Sequence, residues 1–202
     1  MTSLTVSPAI LASASDAARP ASGLRDDDRQ AVEACRNGDT QAFDRLVQRY
    51  QRDVYRLCYR YVNNHFDASD MAQEVFLRAY RALGKFRGDS AFSTWLYRIA
   101  VNTCLNFRSS RKVAGEELSD TLADKRITAL DAIQREEQAE RVRGAIRTLP
   151  EKQRATLILR VYHDLSMEEI AGVMGSSVGT VKANLFHALS KLKKRLGGRG
   201  EE

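Results

Sequence analysis

Proline occurs three times in 202 residues, at Pro8, Pro20 and Pro150, and the long stretch between the last two has none. Glycine is sparse inside the apolar-periodic blocks, and no segment alternates apolar and polar residues long enough to form a strand. Together these absences exclude a sheet protein and predict an all-α fold. No run approaches the roughly 20 apolar residues that a membrane span requires. The first 24 residues lack the basic start of a signal peptide and read as a disordered tail. Three cysteines, Cys35, Cys58 and Cys104, and three histidines, His65, His163 and His187, are scattered without ligand spacing. A disulfide framework and a metal site are disfavoured, and a reduced cytoplasmic setting is expected. There is no glycine-rich phosphate loop and no nucleophile beside a base. Neither an enzyme nor a cofactor is expected.

What the chain does have is charge in blocks. Residues 42–112 hold 13 Lys/Arg against 6 Asp/Glu, residues 113–140 hold 3 against 8, and residues 141–196 hold 11 against 4. The formal net charge is +6. Two basic blocks around an acidic bridge predict two polyanion-facing modules and a flexible linker.

In the first block Phe43, Leu46, Val47, Tyr50, Val54, Leu57, Cys58 and Tyr61 recur at steps of three and four, which predicts an amphipathic helix of about five turns. A shorter helix over 28–36 precedes it and stops at Asn37-Gly38. Asp67 or Ser69 can cap a second long helix that points Met71, Val75, Phe76, Ala79, Tyr80 and Leu83 inward, with Gly84 ending it. A polar loop, Lys85 to Ser90, follows. A third helix buries Phe92, Trp95, Leu96, Ile99, Ala100 and Leu105 and shows Arg98, Asn102, Asn106 and Arg108 outward. Cys58 and Cys104 fall on apolar faces, as small buried hydrophobes do.

In the second block a helix begins near Pro150 and buries Ala155, Leu157, Ile158 and Val161. Ser166-Met167-Glu168-Glu169 has the form of a capping box. Ile170, Ala171 and Met174 face inward, Ala171 being small enough for a close helix crossing. Gly175 makes a turn, and Ser176 or Ser177 caps a final helix with the buried stripe Val178, Val181, Leu185, Ala188 and Leu192. Its front shows Thr180, Lys182, Ala183, Asn184, Phe186 and His187. This is a helix-turn-helix, whose second helix enters the major groove. Asn184 suits adenine, Lys182 guanine or phosphate, and Phe186 a thymine methyl. Lys191, Lys193, Lys194 and Arg195 are phosphate-type contacts. Taken alone, that charge run is a common solvated helix end; the whole arrangement is what points to duplex DNA.

Three motifs in order resemble those of the bacterial extracytoplasmic-function (ECF) sigma factors, across residues 28–196. The run Asp67 to Tyr80 (DASDMAQEVFLRAY) resembles the core-polymerase-binding helix of the second conserved region. The run Phe86 to Asn102 (FRGDSAFSTWLYRIAVN) resembles the melting and −10 segment. Leu149 to Arg154 (LPEKQR) and Val178 to Lys182 (VGTVK) resemble the fourth region. The resemblance implies a disordered tail over 1–24, a region 2 bundle over 25–112, a linker over 113–137, a region 4 helix-turn-helix over 138–196 and a tail over 197–202.

For residues, the resemblance implies polymerase contact by Asp67, Asp70, Gln73, Glu74 and Arg78. It implies −10 contact by Lys85, Phe86, Arg87, Asp89, Ser90, Arg98, Asn102 and Arg108, and −35 contact by Arg154, Ser177, Thr180, Lys182, Ala183, Asn184, Phe186, His187 and Lys191. The backbone and short side chains of the loop suit an unstacked base. Phe86 and Trp95 are of a kind to stack on bases, although Trp95 lies on the apolar stripe and reads as core. The implied partners are core RNA polymerase (the β′ clamp helices and β flap), promoter DNA and an anti-sigma factor, and the implied role is transcription initiation for a stress or envelope regulon.

One departure concerns DNA preference. Many family members carry Ser-Arg after Thr-Val-Lys and another Arg two positions past the next Leu, where this chain has Ala183, Asn184 and His187. Arginine-to-guanine contacts are absent, so the −35 sequence read differs. His187 offers a pH-sensitive contact or is simply a partly exposed helix residue. The rival reading is a repressor or activator with the same motif. Such proteins dimerise over two half-sites, whereas here the rest of the chain is a second basic module.

Overall fold

The computed structural model describes residues 26–113 and 130–197, with side chains described for 26–107 and 137–197. The tails and most of the acidic bridge lie outside the described residues. Within the described residues the chain is helical, with no strand, and forms eight α-helices in two units.

In the first unit α1 (Asp26–Arg36) stops at Asn37-Gly38, where Gly38 has φ +97°. Helix α2 (Gln41–Val62) buries Phe43, Leu46, Tyr50, Val54, Leu57, Cys58 and Tyr61. It ends on Asn63 in the left-handed conformation, where the short side chain tolerates φ 56°. Helix α3 (His65–Ala82) starts earlier than its sequence suggests. Asn64, rather than Asp67 or Ser69, is the cap, its Oδ1 accepting the Asp67 backbone N–H at 3.1 Å. At the far end Gly84 sits within a 3₁₀ turn, Leu83–Lys85, rather than as a left-handed terminator. Tyr80 is exposed, not inward, and lies edge-on to Phe43. Helix α4 (Phe92–Val113) buries Phe92, Leu96, Tyr97, Ala100, Val101 and Cys104; Trp95, Ile99 and Leu105 are half-buried against that core.

In the second unit α5 spans Leu130–Arg147 and α6 Glu151–Tyr162, with Pro150 at the N-cap. Helix α7 (Met167–Met174) carries the expected capping box. Ser166 Oγ accepts the Glu169 N–H at 3.1 Å, and the Glu169 carboxylate accepts the Ser166 N–H at 2.8 Å. Gly175 (φ 58°) turns the chain into α8 (Val178–Gly197), capped by Ser177, whose Oγ accepts the Thr180 N–H at 3.2 Å. Ile146, Leu149, Leu157 and Ala188 form a small core of their own.

The two units are packed together: α7 lies on α4 and α6 on α2. One buried cluster runs through both, from Leu57, Tyr61, Tyr97 and Ala100 to Ala155, Ile158, Ile170 and Val173. Burying apolar area at about 25 cal/mol per Å² makes such continuity the main force holding the units in contact.

Candidate functional site

Three surfaces carry the residues singled out from the sequence. The first is the outer face of α3. Asp70, Gln73 and Arg78 are exposed, Asp67 and Glu74 half-buried, and Glu74 pairs with Arg78 at 2.6 Å in an i,i+4 bridge. An exposed pair of this kind contributes only tenths of a kcal/mol, so both ends are free to change partners. The same helix also leaves Phe66 85 % exposed, together with Leu77 and Tyr80. The periodicity concealed these residues: Tyr80 belongs to the apolar stripe, while Phe66 and Leu77 stand off it. Large apolar side chains among charges at one helix surface are what a protein partner buries. At the N-terminal corner Tyr55, Tyr59 and His65 stack, with Tyr59 and His65 centroids 4.5 Å apart. The Tyr55 hydroxyl shares a hydrogen bond with His65 Nδ1, and burial followed by the neighbouring Tyr59 raises its pKa, keeping it protonated.

The second surface is the loop before α4 and the polar face of that helix. Lys85, Arg87 and Asp89 are exposed, and Ser90 is half-buried with its hydroxyl on the Ala91 carbonyl. Phe86 is corrected: it is 5 % exposed, its ring 5.1 Å from Trp95 and 5.8 Å from Phe92. It anchors the loop from below and offers no face to a base, because three aromatic rings bury more area together than one does in a polar loop. Arg36 donates to the Phe86 carbonyl, tying α1 to the same loop. Asn102 and Asn106 are exposed; the Arg108 side chain lies outside the described residues. Arg98 is exposed, but its Nε donates to the Gly172 carbonyl of α7 at 3.1 Å.

The third surface is the front of α8. Thr180, Lys182, Ala183, His187 and Lys191 are exposed, Phe186 is 69 % exposed, and Asn184 is half-buried. Ser177 is exposed but committed as the helix cap, its hydroxyl also 2.9 Å from Thr180 Oγ1. Arg154, expected at the DNA, is not on this front. It is 0 % exposed, with Nε on the Ile146 carbonyl at 3.1 Å and Nη1 3.5 Å from the Tyr61 carbonyl of α2. Buried between its own unit and α2, the side chain is not presented to DNA in this conformation. No group of three or more His, Cys, Asp or Glu able to hold a metal exists among the described residues.

Residues 46–113 match the Sigma-70 region 2 family and residues 139–192 the Sigma-70 region 4 family. The RNA polymerase sigma-H factor of Pseudomonas aeruginosa is 42 % identical over 183 residues, covering 85 % of this chain and 95 % of that protein. The ECF RNA polymerase sigma-E factor of Escherichia coli is 39 % identical over 180 residues, covering 84 % and 94 %. In fold, the chain is similar to CnrH, solved with the cytosolic domain of CnrY (TM-score 0.66, 24 % identity, 86 % of this chain and 99 % of that one). It is also similar to the sigma factor RpoE solved with the anti-sigma factor NepR from Bartonella quintana (TM-score 0.63, 20 % identity, 80 % and 100 %).

Proposed function

The chain belongs to the ECF RNA polymerase sigma factors, which recognise promoters and initiate transcription; on that premise we propose a division of this work among its three surfaces. Helix α3 docks on core polymerase through Asp70, Gln73, Glu74 and Arg78 with Phe66, Leu77 and Tyr80, the clamp helices of β′ being the partner. The loop at 85–90 and the Arg98–Asn102 face of α4 hold the melted −10 strand. The front of α8 reads the −35 duplex, with Lys182 and Asn184 as the base-reading pair and Lys191 on phosphate. The units built on α1–α4 and on α5–α8 are the two working units, α5 (Leu130–Arg147) taking in the last part of the acidic bridge expected over 113–137, and the rest of that bridge lets them act apart. The factor works by binding alone, in the cytoplasm where polymerase and promoter meet. An anti-sigma protein restrains it, and it serves a stress or envelope regulon.

The observation that supports this reading best is the pairing, in one chain, of a partner-type face on α3 with a capped, exposed recognition front on α8. A stand-alone repressor needs only the second. The test is transcription by core polymerase with and without the purified chain, with starts mapped across a genomic template. Discrete starts sharing two upstream elements are expected; starts independent of the chain would refute the assignment.

A further inference from the structure

We propose that α1 is part of the −10 reader, its Arg36 being a positioning residue that sets the backbone of the 85–90 loop for the melted strand. The inference rests on reading that loop as the −10 contact. The division of work among the three surfaces leaves α1 without a task, and the helix lies ahead of the residues matched to the region 2 family. An arginine in the last turn of a helix ordinarily lies over its own terminal carbonyls, whose negative end it offsets. Here that end is closed without it: the N–H groups of Asn37, Gly38 and Asp39 take the carbonyls of Glu33, Ala34 and Cys35. Arg36 instead reaches 50 residues along the chain and donates through Nη2 to the Phe86 carbonyl, at the entry of the loop.

The arm that carries Arg36 is anchored. Two turns earlier, about 12 Å along the helix, buried Asp28 accepts from Arg49 and Tyr50 of α2, and Ala31 and Val32 fill the core between. At the other end of the contact, Phe86 is held by each of its groups. Its N–H donates to the Leu83 carbonyl at 3.1 Å, its ring packs on Trp95 and Phe92, and its carbonyl takes Arg36. The first two ties come from the segments that flank the loop, the third from α1.

That third tie fixes a peptide plane. A trans peptide turns its carbonyl and the following N–H to opposite sides. With the Phe86 oxygen drawn toward Arg36, the Arg87 N–H faces away from it and meets no acceptor among the described residues. Gly88 follows at φ +80°, bending the chain, while Lys85, Arg87 and Asp89 stand exposed. The result is a backbone donor preset beside exposed polar side chains, which is what reading an unstacked base requires. Without Arg36 the peptide is free to rotate. A loop competent for only part of the time binds with its affinity lowered by that fraction.

The test uses core polymerase with the full chain and a fluorescent single strand carrying the −10 sequence of a promoter mapped with this factor, set against the same strand scrambled. The ratio of the two affinities is the sequence preference. Arg36→Ala should cut that preference at least about fivefold, while capture of core polymerase and the urea midpoint stay as in the parent. Arg36→Lys, which keeps a donor for one carbonyl, should recover most of it. Arg36→Met keeps the aliphatic stem without a donor and should repeat the alanine result even if alanine loosens α1. The salt slope of binding should hold in every variant, because Arg36 sits on a peptide oxygen and not on a phosphate. An unchanged preference would overturn the proposal. So would a lower slope with the preference intact, which makes Arg36 a simple phosphate contact. Lys85→Ala with Asp89→Ala reports on the loop itself: if that pair also leaves the preference unaltered, the −10 reading of the loop falls, and this proposal with it.

Discussion

Asp28 shows how much a single side chain can carry in the N-terminal unit. It is buried at the start of α2's neighbour α1, with one carboxylate oxygen on Arg49 and the other on the Tyr50 hydroxyl. Asp28→Ala removes the buried carboxylate from Tyr50 and leaves Arg49 only its pair with Asp27, and because Arg49 is one-third exposed the expected loss is about 1–3 kcal/mol, read by urea denaturation. A loss within error would mean that α1 is not held by this network. The cysteines offer a second reading at this scale. Burial, then the neighbouring Cys58, pushes the Cys104 thiol well above its ordinary value of 9.0. Such a thiol stays protonated in the fold, so its stabilising share is intact below pH 9 and is lost as pH rises beyond it. Iodoacetamide should therefore label Cys35 in the native protein, and Cys58 and Cys104 only in urea; native labelling of all three would contradict the packing described. On α8, Lys182→Ala and Asn184→Ala should each reduce initiation at −35-dependent promoters by about 1–3 kcal/mol. Run-off transcription unaltered by both would remove them from the recognition front.

At the scale of elements, periodicity and capping chemistry made most of the fold legible. The stripes of α2, α4 and α8 and the capping box at Ser166 could be read because each depends on residues within one or two turns. The misses were non-local. Asn64 caps α3 because Asn63 breaks the helix before it in a left-handed turn, and the sequence alone offered Asp67 and Ser69 as equal alternatives. Phe86 looked available to a base until Phe92 and Trp95 folded over it. Arg154, which the family resemblance put among the −35 contacts, is buried between Ile146 of its own unit and Tyr61 of α2. Phe66 and Leu77 were invisible as a site because exposure of an off-stripe apolar residue is decided by what fails to pack there. Ser166→Ala should destabilise the C-terminal unit by about 1 kcal/mol, seen as a lower thermal midpoint. Asp70→Ala, Gln73→Ala or Leu77→Ala should weaken capture of core polymerase while leaving duplex binding by α8 intact. Undiminished capture by all three would move the docking surface off α3.

For the whole molecule, the two basic blocks found in the sequence become two packed helical units, and their roles pull in opposite directions. In the proposed division of work docking and strand capture fall to α3 and α4 and duplex reading to α8, while the interface between the units engages Arg98 and Arg154. On that proposal the chain gains promoter specificity only with polymerase, which would set it apart from a regulator that dimerises on a palindrome. The most direct measurement is initiation from a promoter-bearing template by core polymerase supplemented with the purified chain. The account predicts chain-dependent transcripts from defined starts, reduced by changes in α3 and in α8 alike. Chain-dependent binding to a palindromic duplex, with polymerase starts unchanged, would contradict it.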